Sequence, residues 1–415
     1  MAGLPSEVDV AVVGAGAAGI AAARRLVEEQ RASVVVLEAR ERPGGRVWTT
    51  NPAGFPIDLG GEWLHSADRN VLTPIAERLG FSLQRRQPDW LSRLRRSGAT
   101  PEEEADWLAE RDAHYWAIRR AAQEAEDRPA DSVLRSGGRW NALLDASSTW
   151  GNAVELESLS VKDNDRYEDS GVNFRLAEGY GALFTALADR LPIVYGAAVA
   201  RIARGGRRIT LATSRGTLTA GRVIVTVPTD VIAGGHLAFD PPLPDKCTAA
   251  DGLPLGLANK LFLRLDGRLP GIEDDAQLIG STTRRETMSY QVRPLGRPVV
   301  RCFFGGRFAA QLERDGIAAM AAFAADELAG LFGGAIRCRL SPLAASAWRT
   351  DPFARGAYSY ARPGHADDRA ALAAPIEDRL FFAGEATSPN FFSTAHGAFE
   401  SGIRAAEEAL RGLAP

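Results

Sequence analysis

The sequence predicts an α/β fold built on a parallel, Rossmann-type core, and three stretches predict it. "VDVAVVGAGAAGIAAARRL" is a buried-strand pattern that runs into Gly14, Gly16 and Gly19 and continues as an Ala-rich helix. "SVVVLEAR" supplies a second strand that ends in Glu38, 19 positions after Gly19. "ARERPGGRVWTT" follows at once, with Gly44, Gly45 and Arg46 in a turn.

Each element has a physical reason. Gly14 permits a tight turn, Gly16 lets the backbone approach a pyrophosphate, and Gly19 lets helix and strand pack closely. The helix N-terminus then offers free N–H groups and a favourable dipole to phosphate. Glu38 is placed to accept hydrogen bonds from ribose hydroxyls. This fingerprint alone leaves NAD and FAD both open. The Gly44-Gly45-Arg46 turn can bring more backbone and a guanidinium onto the same cofactor.

Composition excludes several other classes. At 415 residues the chain is long enough for two domains. Hydrophobic residues at 45%, charged residues at 24% and a net charge of -3 suit a globular protein with no footprint for nucleic acid or acidic lipid. Cys247, Cys302 and Cys338 are widely spaced, which predicts neither a disulfide framework nor a zinc site. No apolar run reaches the roughly 18 residues of a membrane span. Residues 8–20 contain too much glycine, with acids too near, for a signal peptide. The expectation is a cytoplasmic protein, monomeric or homodimeric, without a metal.

Further along, "NVLTPIAERLG" predicts a helix with Pro74 near its start and Gly80 at its end. Thr100 to Glu103 reads as a capping box for another helix, with Trp107, Leu108, Tyr115, Ile118 and Ala122 as its apolar stripe. Residues 82–150 read as a helical excursion that covers a cavity. "LANKLFLRL", "TMSYQV" and "PVVRCFFGG" read as strands, and an Ala-rich helix is expected over 309–332. On the first of these strands Lys260 shares a face with Ala258 and Phe262, opposite the leucines.

The RxGGR turn behind two Rossmann strands resembles the second flavin motif of FAD-dependent amine oxidases, the monoamine and polyamine oxidase family. "FPIDLGGEWLHS", "AWRTDPFARGAYSY" and "LFFAGEATSPNFFSTAHGAFESG" are similar to three further segments of that family, and the likeness covers essentially the whole chain. It implies a glutathione-reductase-like FAD-binding domain over 1–69, 190–250 and 356–415. An α+β substrate domain over 70–189 and 251–355 interleaves with it.

The resemblance implies FAD against Gly14, Ala15, Gly16, Ala17, Ala18 and Gly19, and against Glu38, Ala39, Arg40, Gly44, Gly45 and Arg46. It adds Gly60, Gly61, Glu62, Trp63, Val199, Trp348, Gly384, Glu385, Thr394 and Ala395. Substrate is expected at Trp63, His65, Tyr358 and Thr394, with Tyr358 one wall of an aromatic cage. Lys260 matches the lysine that holds a water against flavin N5; the other reading is a strand-edge lysine. His65 reads equally as a structural histidine, and His396 as a structural residue of the last turn. Ala357 stands where covalent members carry cysteine, which implies non-covalent FAD. The implied reaction is hydride transfer from a secondary amine or polyamine to flavin. An imine forms and is hydrolysed to aldehyde or ketone, and O2 is reduced to H2O2. A flavin desaturase or dehydrogenase with another acceptor, and a non-catalytic flavin-binding partner, are the alternatives.

Overall fold

The computed structural model describes residues 3–411. Strand β1 (Glu7–Val13), helix α1 (Ala17–Glu29) and strand β2 (Val34–Leu37) form the first unit of an eight-stranded sheet. β1 lies between β2 and the strand Gly216–Val225, parallel to both, with Val10 beside Val34 and Arg222. Val10, Ala11 and Val12 are fully buried, as expected of a parallel strand covered on both faces. Leu380–Phe382 adds to the far side of Gly216–Val225, so the last forty residues return to the first strand's sheet. The closing helix Ala395–Leu410 packs on α1. A Cβ on Gly402 would sit 2.1 Å from the Ala18 carbonyl oxygen, so glycine is what permits this close crossing.

A second sheet of five antiparallel strands runs in the order Ala276–Ile279, Ser289–Val292, Val299–Gly305, Ala258–Leu265, Leu340–Ala345. Lys260 pairs with Phe303, Phe262 with Arg301, and Gln291 with Arg301. Successive side chains alternate faces. Leu261, Leu263, Tyr290, Cys302 and Phe304 therefore enter a hydrophobic core, while Ala258, Lys260, Ser289, Arg301 and Phe303 line a cavity on the other face. The terminal stretches of the expected cofactor domain, residues 1–2 and 412–415, lie outside the described residues.

Over the cavity lies the excursion, with helices Arg93–Arg96, Pro101–Ala122 and Asn141–Gly151. Thr100 and Glu103 form the reciprocal capping box at 3.2 and 3.1 Å. Its apolar stripe is narrower than expected: Trp107 and Ile118 are buried, but Tyr115 is 52% exposed and stacks edge-on against Trp116 instead. The Ala-rich helix expected over 309–332 is two helices, Gly306–Asp315 and Ile317–Phe332. Gly316 separates them at φ +88°, a conformation that glycine adopts without penalty. Among the described residues no helix is long and apolar enough to cross a membrane.

Candidate active site

One cavity of about 800 Å³ runs between the two sheets. Its dinucleotide end is the β1–α1 turn. Gly14 takes φ +103° and donates its N–H to the Leu37 carbonyl at 2.8 Å. Gly19 is close-packed, since a Cβ there would lie 1.9 Å from the Gly14 oxygen. Gly16 is the reverse: a Cβ would meet nothing within 4 Å, which leaves open space before α1. α1 has no side-chain cap and no acid in its first turn, so its N–H groups are free for an anion.

Glu38 is buried and accepts from the Ala15 N–H at 2.6 Å and the Arg40 N–H at 2.9 Å. Burial raises its pKa, against the pull of these donors. One partner on each oxygen leaves acceptor capacity toward the cavity. Arg46 reaches across to the Ala357 carbonyl at 2.5 Å and Glu385 at 3.0 Å. These residues fit a flavin dinucleotide: an open glycine cradle, an uncapped helix start and a buried acid lie in sequence along one wall.

The closing segment completes that wall. Glu385 accepts from the Ser359 hydroxyl at 2.6 Å, the Ser359 N–H at 3.1 Å and the Ser393 N–H at 2.9 Å. Burial pushes its carboxyl up, but Arg46 and these donors hold it below the ordinary range. Thr394 caps the last helix by accepting from the Gly397 N–H at 3.0 Å, and donates to the Phe391 carbonyl at 2.6 Å. His396 stacks on Phe391 with ring centres 5.0 Å apart and does not line the cavity. Burial, then nearby His65, lowers its pKa to about 4, so it is neutral at pH 7.

Aromatic side chains make the other end. Trp63 meets Trp90 edge-on at 5.3 Å, and the Arg175 guanidinium lies over Trp63 at 4.7 Å. The Tyr358 hydroxyl donates to the Trp150 carbonyl at 2.7 Å. His65 shares a 2.6 Å hydrogen bond with Asn173, and burial lowers its pKa. Lys260 donates to the Asp58 carbonyl at 3.0 Å, the Gly60 carbonyl at 2.8 Å and Glu62 at 2.8 Å. All three ammonium N–H groups are thus accepted by protein oxygens, and a water on Lys260 would have to displace one.

Glu62 is the hub of this cluster, with Arg301 at 2.5 Å and Arg175 at 3.9 Å. Burial pushes its carboxyl up, but Arg301, Lys260 and Arg175 together hold it well below the usual range. Asp58, bonded to the Thr49 hydroxyl and the Tyr180 N–H, has its pKa raised by burial to about 6.

Every residue that the sequence placed at the site lines this cavity except Ala15 and Gly19. Those two act behind the wall: the Ala15 N–H holds Glu38, and Gly19 sets the helix–strand distance. Sequence reasoning missed Trp90, Arg93, Trp150, Asp169, Arg301 and Arg355, which also line it. Arg355 had a signal, lying three residues before Tyr358 in the same segment. Arg93 had only its place in the excursion.

A dinucleotide cradle facing an aromatic pocket across an antiparallel sheet is the architecture of a flavoprotein oxidoreductase. The family model for flavin-containing amine oxidoreductases matches residues 17–410, and the chain belongs to that family as an FAD-dependent amine oxidoreductase. It is 31% identical to polyamine oxidase 3 of Oryza sativa subsp. japonica, over 96% of this chain and 88% of that protein. It is 29% identical to probable polyamine oxidase 4 of Arabidopsis thaliana, over 97% of this chain and 87% of that protein. Identity to lysine-specific histone demethylase 1 homolog 1 of Oryza sativa subsp. japonica is 31%, but the match spans only 52% of that longer protein. The fold also matches a solved putrescine oxidase bound to putrescine, with TM-score 0.76 and 19% identity over 97% of this chain and 98% of that one.

Proposed function

We propose that this enzyme oxidises a secondary amine or a polyamine to an imine, hydrolysed to aldehyde or ketone, and passes the electrons to O2 with release of H2O2. The observation that carries the reading is the single cavity joining the cradle at Gly14, Gly16 and Glu38 to the aromatic pocket at Trp63, Trp150 and Tyr358. The polyamine oxidases among its relatives support the substrate class. Bound flavin supplies the redox chemistry, accepting a hydride from the carbon beside the amine nitrogen.

The chain's own part is positioning and exclusion. Tyr358 is fixed by its bond to Trp150, and Trp63 by Trp90 and Arg175, so the walls that orient an amine are rigid before it enters. His65, tied to Asn173, adds no positive charge against the amine. Cofactor attachment is non-covalent in this reading, because Ala357 lines the cavity and none of Cys247, Cys302 and Cys338 does. A second reading, with an electron acceptor other than O2, draws on Lys260, whose donors are all committed to protein.

Turnover of an amine panel in air, with peroxide counted against amine consumed, separates the two. Equal amounts support the oxidase. Turnover without peroxide, restored by a dye acceptor, supports the second reading. No turnover with any amine would remove both.

A further inference from the structure

We propose that the amine oxidised here also carries a carboxylate, and that Arg93 binds that carboxylate. The inference rests on the amine-oxidation reading above and narrows its substrate class. Arg93 begins the short helix Arg93–Arg96 and lines the cavity at its aromatic end. Its Nε donates to the Trp90 carbonyl at 2.9 Å, its Nη1 to the Ser289 hydroxyl at 3.3 Å, and its guanidinium lies over the Trp150 ring at 5.3 Å. These contacts fix the plane of the fork. Among the described residues Nη2 has no acceptor and the guanidinium has no carboxylate partner.

The other cations of the wall show how unusual this is. Lys260 and Arg301 share Glu62, Arg46 has Glu385, and Arg40 has Asp351. Among the described residues Arg355 also has no acid, but it follows Phe353, on which Arg40 lies at 5.4 Å, at the dinucleotide end where an anionic cofactor would be held. The charges acting on Arg93 are like charges, Arg301 and Arg111; burial and these two lower its pKa to about 10, which leaves it a cation at pH 7.

A desolvated cation without a counter-ion is costly, and the cost is relieved when a ligand brings the anion. A planar fork whose Nη2 is free, and whose Nη1 keeps a second N–H beside the one given to Ser289, can take a carboxylate bidentately. The same wall holds two more buried groups without partners among the described residues, the Trp150 indole N–H and the Ser147 hydroxyl. The acid of the lining that has no cationic partner among the described residues, Asp169, is exposed. An uncommitted cation inside and an acid in the exposed part of the wall suit a molecule bearing both charges. A polyamine would place a second cation against Arg93.

Two measurements test this on purified holoenzyme. In the first, the oxidised protein is titrated with benzoate and read by the shift of the flavin's visible spectrum. Benzoate should bind, Arg93→Gln should weaken it by roughly tenfold to a hundredfold, and Arg93→Lys should recover part of the loss. No binding to wild type, or equal affinity in Arg93→Gln, overturns the site.

The second needs no variant: anaerobic bleaching by alkylamines, by the same amines carrying a carboxylate, and by putrescine. The carboxylated amines should bleach the flavin at concentrations at least tenfold lower than their parents, the low end expected of one charge-assisted contact. Putrescine or the parent amines bleaching as readily would overturn the substrate class while leaving amine oxidation intact. If no amine bleaches the flavin, amine oxidation itself fails, and the benzoate titration still decides Arg93 on its own.

Discussion

Lys260→Met separates two roles that the same side chain could fill. The substitution keeps the length of the stem and removes the ammonium, so the Asp58 and Gly60 carbonyls lose a donor and Glu62 loses one of its cations. Breaking a buried ion pair costs about 3–5 kcal/mol when the remaining charge is stranded. Here Glu62 keeps Arg301 at 2.5 Å and Arg175 nearby, so the stranding is partial. A loss of about 2–3 kcal/mol is expected, mostly from the two carbonyls and the remaining imbalance. Equilibrium denaturation of the holoenzyme measures it. Stopped-flow then follows the half-reactions separately. Anaerobic bleaching by amine should stay within about tenfold of wild type, because Trp63 and Tyr358 are untouched. Reoxidation in air should slow by about a hundredfold or more if the ammonium assists oxygen, as loss of other preorganised charges does. Unchanged stability would refute the weight given to the three Lys260 hydrogen bonds. A wild-type reoxidation rate beside lowered stability would leave Lys260 a structural residue and remove its support for the oxidase reading.

Three more outcomes follow from the site. Glu38→Gln should lower FAD affinity by tenfold or more, since the amide accepts at one atom where the carboxylate accepted at two; full flavin occupancy after dialysis would count against the cradle. Acid precipitation should release all the yellow colour, because no cysteine lines the cavity; colour left in the pellet would show a covalent link. His396 is held neutral in the fold, with its pKa lowered from 6.5 to about 4. The unfolded chain therefore takes up a proton that the folded one refuses, and stability falls as pH drops from 6.5 toward 4. That loss amounts to about 3 kcal/mol, and His396→Gln should flatten it; a variant with the wild-type slope would remove His396 as the source.

The dinucleotide end was legible in the sequence because backbone geometry dictates residue type there. A Cβ on Gly19 collides with Gly14, and Gly14 needs positive φ, so the spacing of the glycines states the turn. The closing segment was legible only through its likeness to the family's last motif; that Thr394 caps the final helix is a finding of the structure. The cation cluster was not. Lys260 and Glu62 are 198 positions apart, and their meeting depends on the register of the second sheet and the path of the Gly60–Gly61 turn. Arg93 was hidden for the same cause, since its loneliness is a property of everything around it. Gly316 was overlooked within an Ala-rich stretch whose composition favours helix on both sides, and Tyr115 fitted a stripe that its neighbours do not cover.

In this enzyme one cavity is proposed to bring an amine to a bound flavin. The most direct test is anaerobic mixing of purified holoenzyme with amines, read as loss of the oxidised flavin's visible absorbance, in wild type and in Tyr358→Ala. Bleaching by an amine in wild type, slowed by at least about tenfold in Tyr358→Ala as expected from loss of a positioning wall, is the predicted result. Bleaching at the same rate in both proteins would contradict the placement of the amine, and a flavin that no amine reduces would contradict amine oxidation in this cavity.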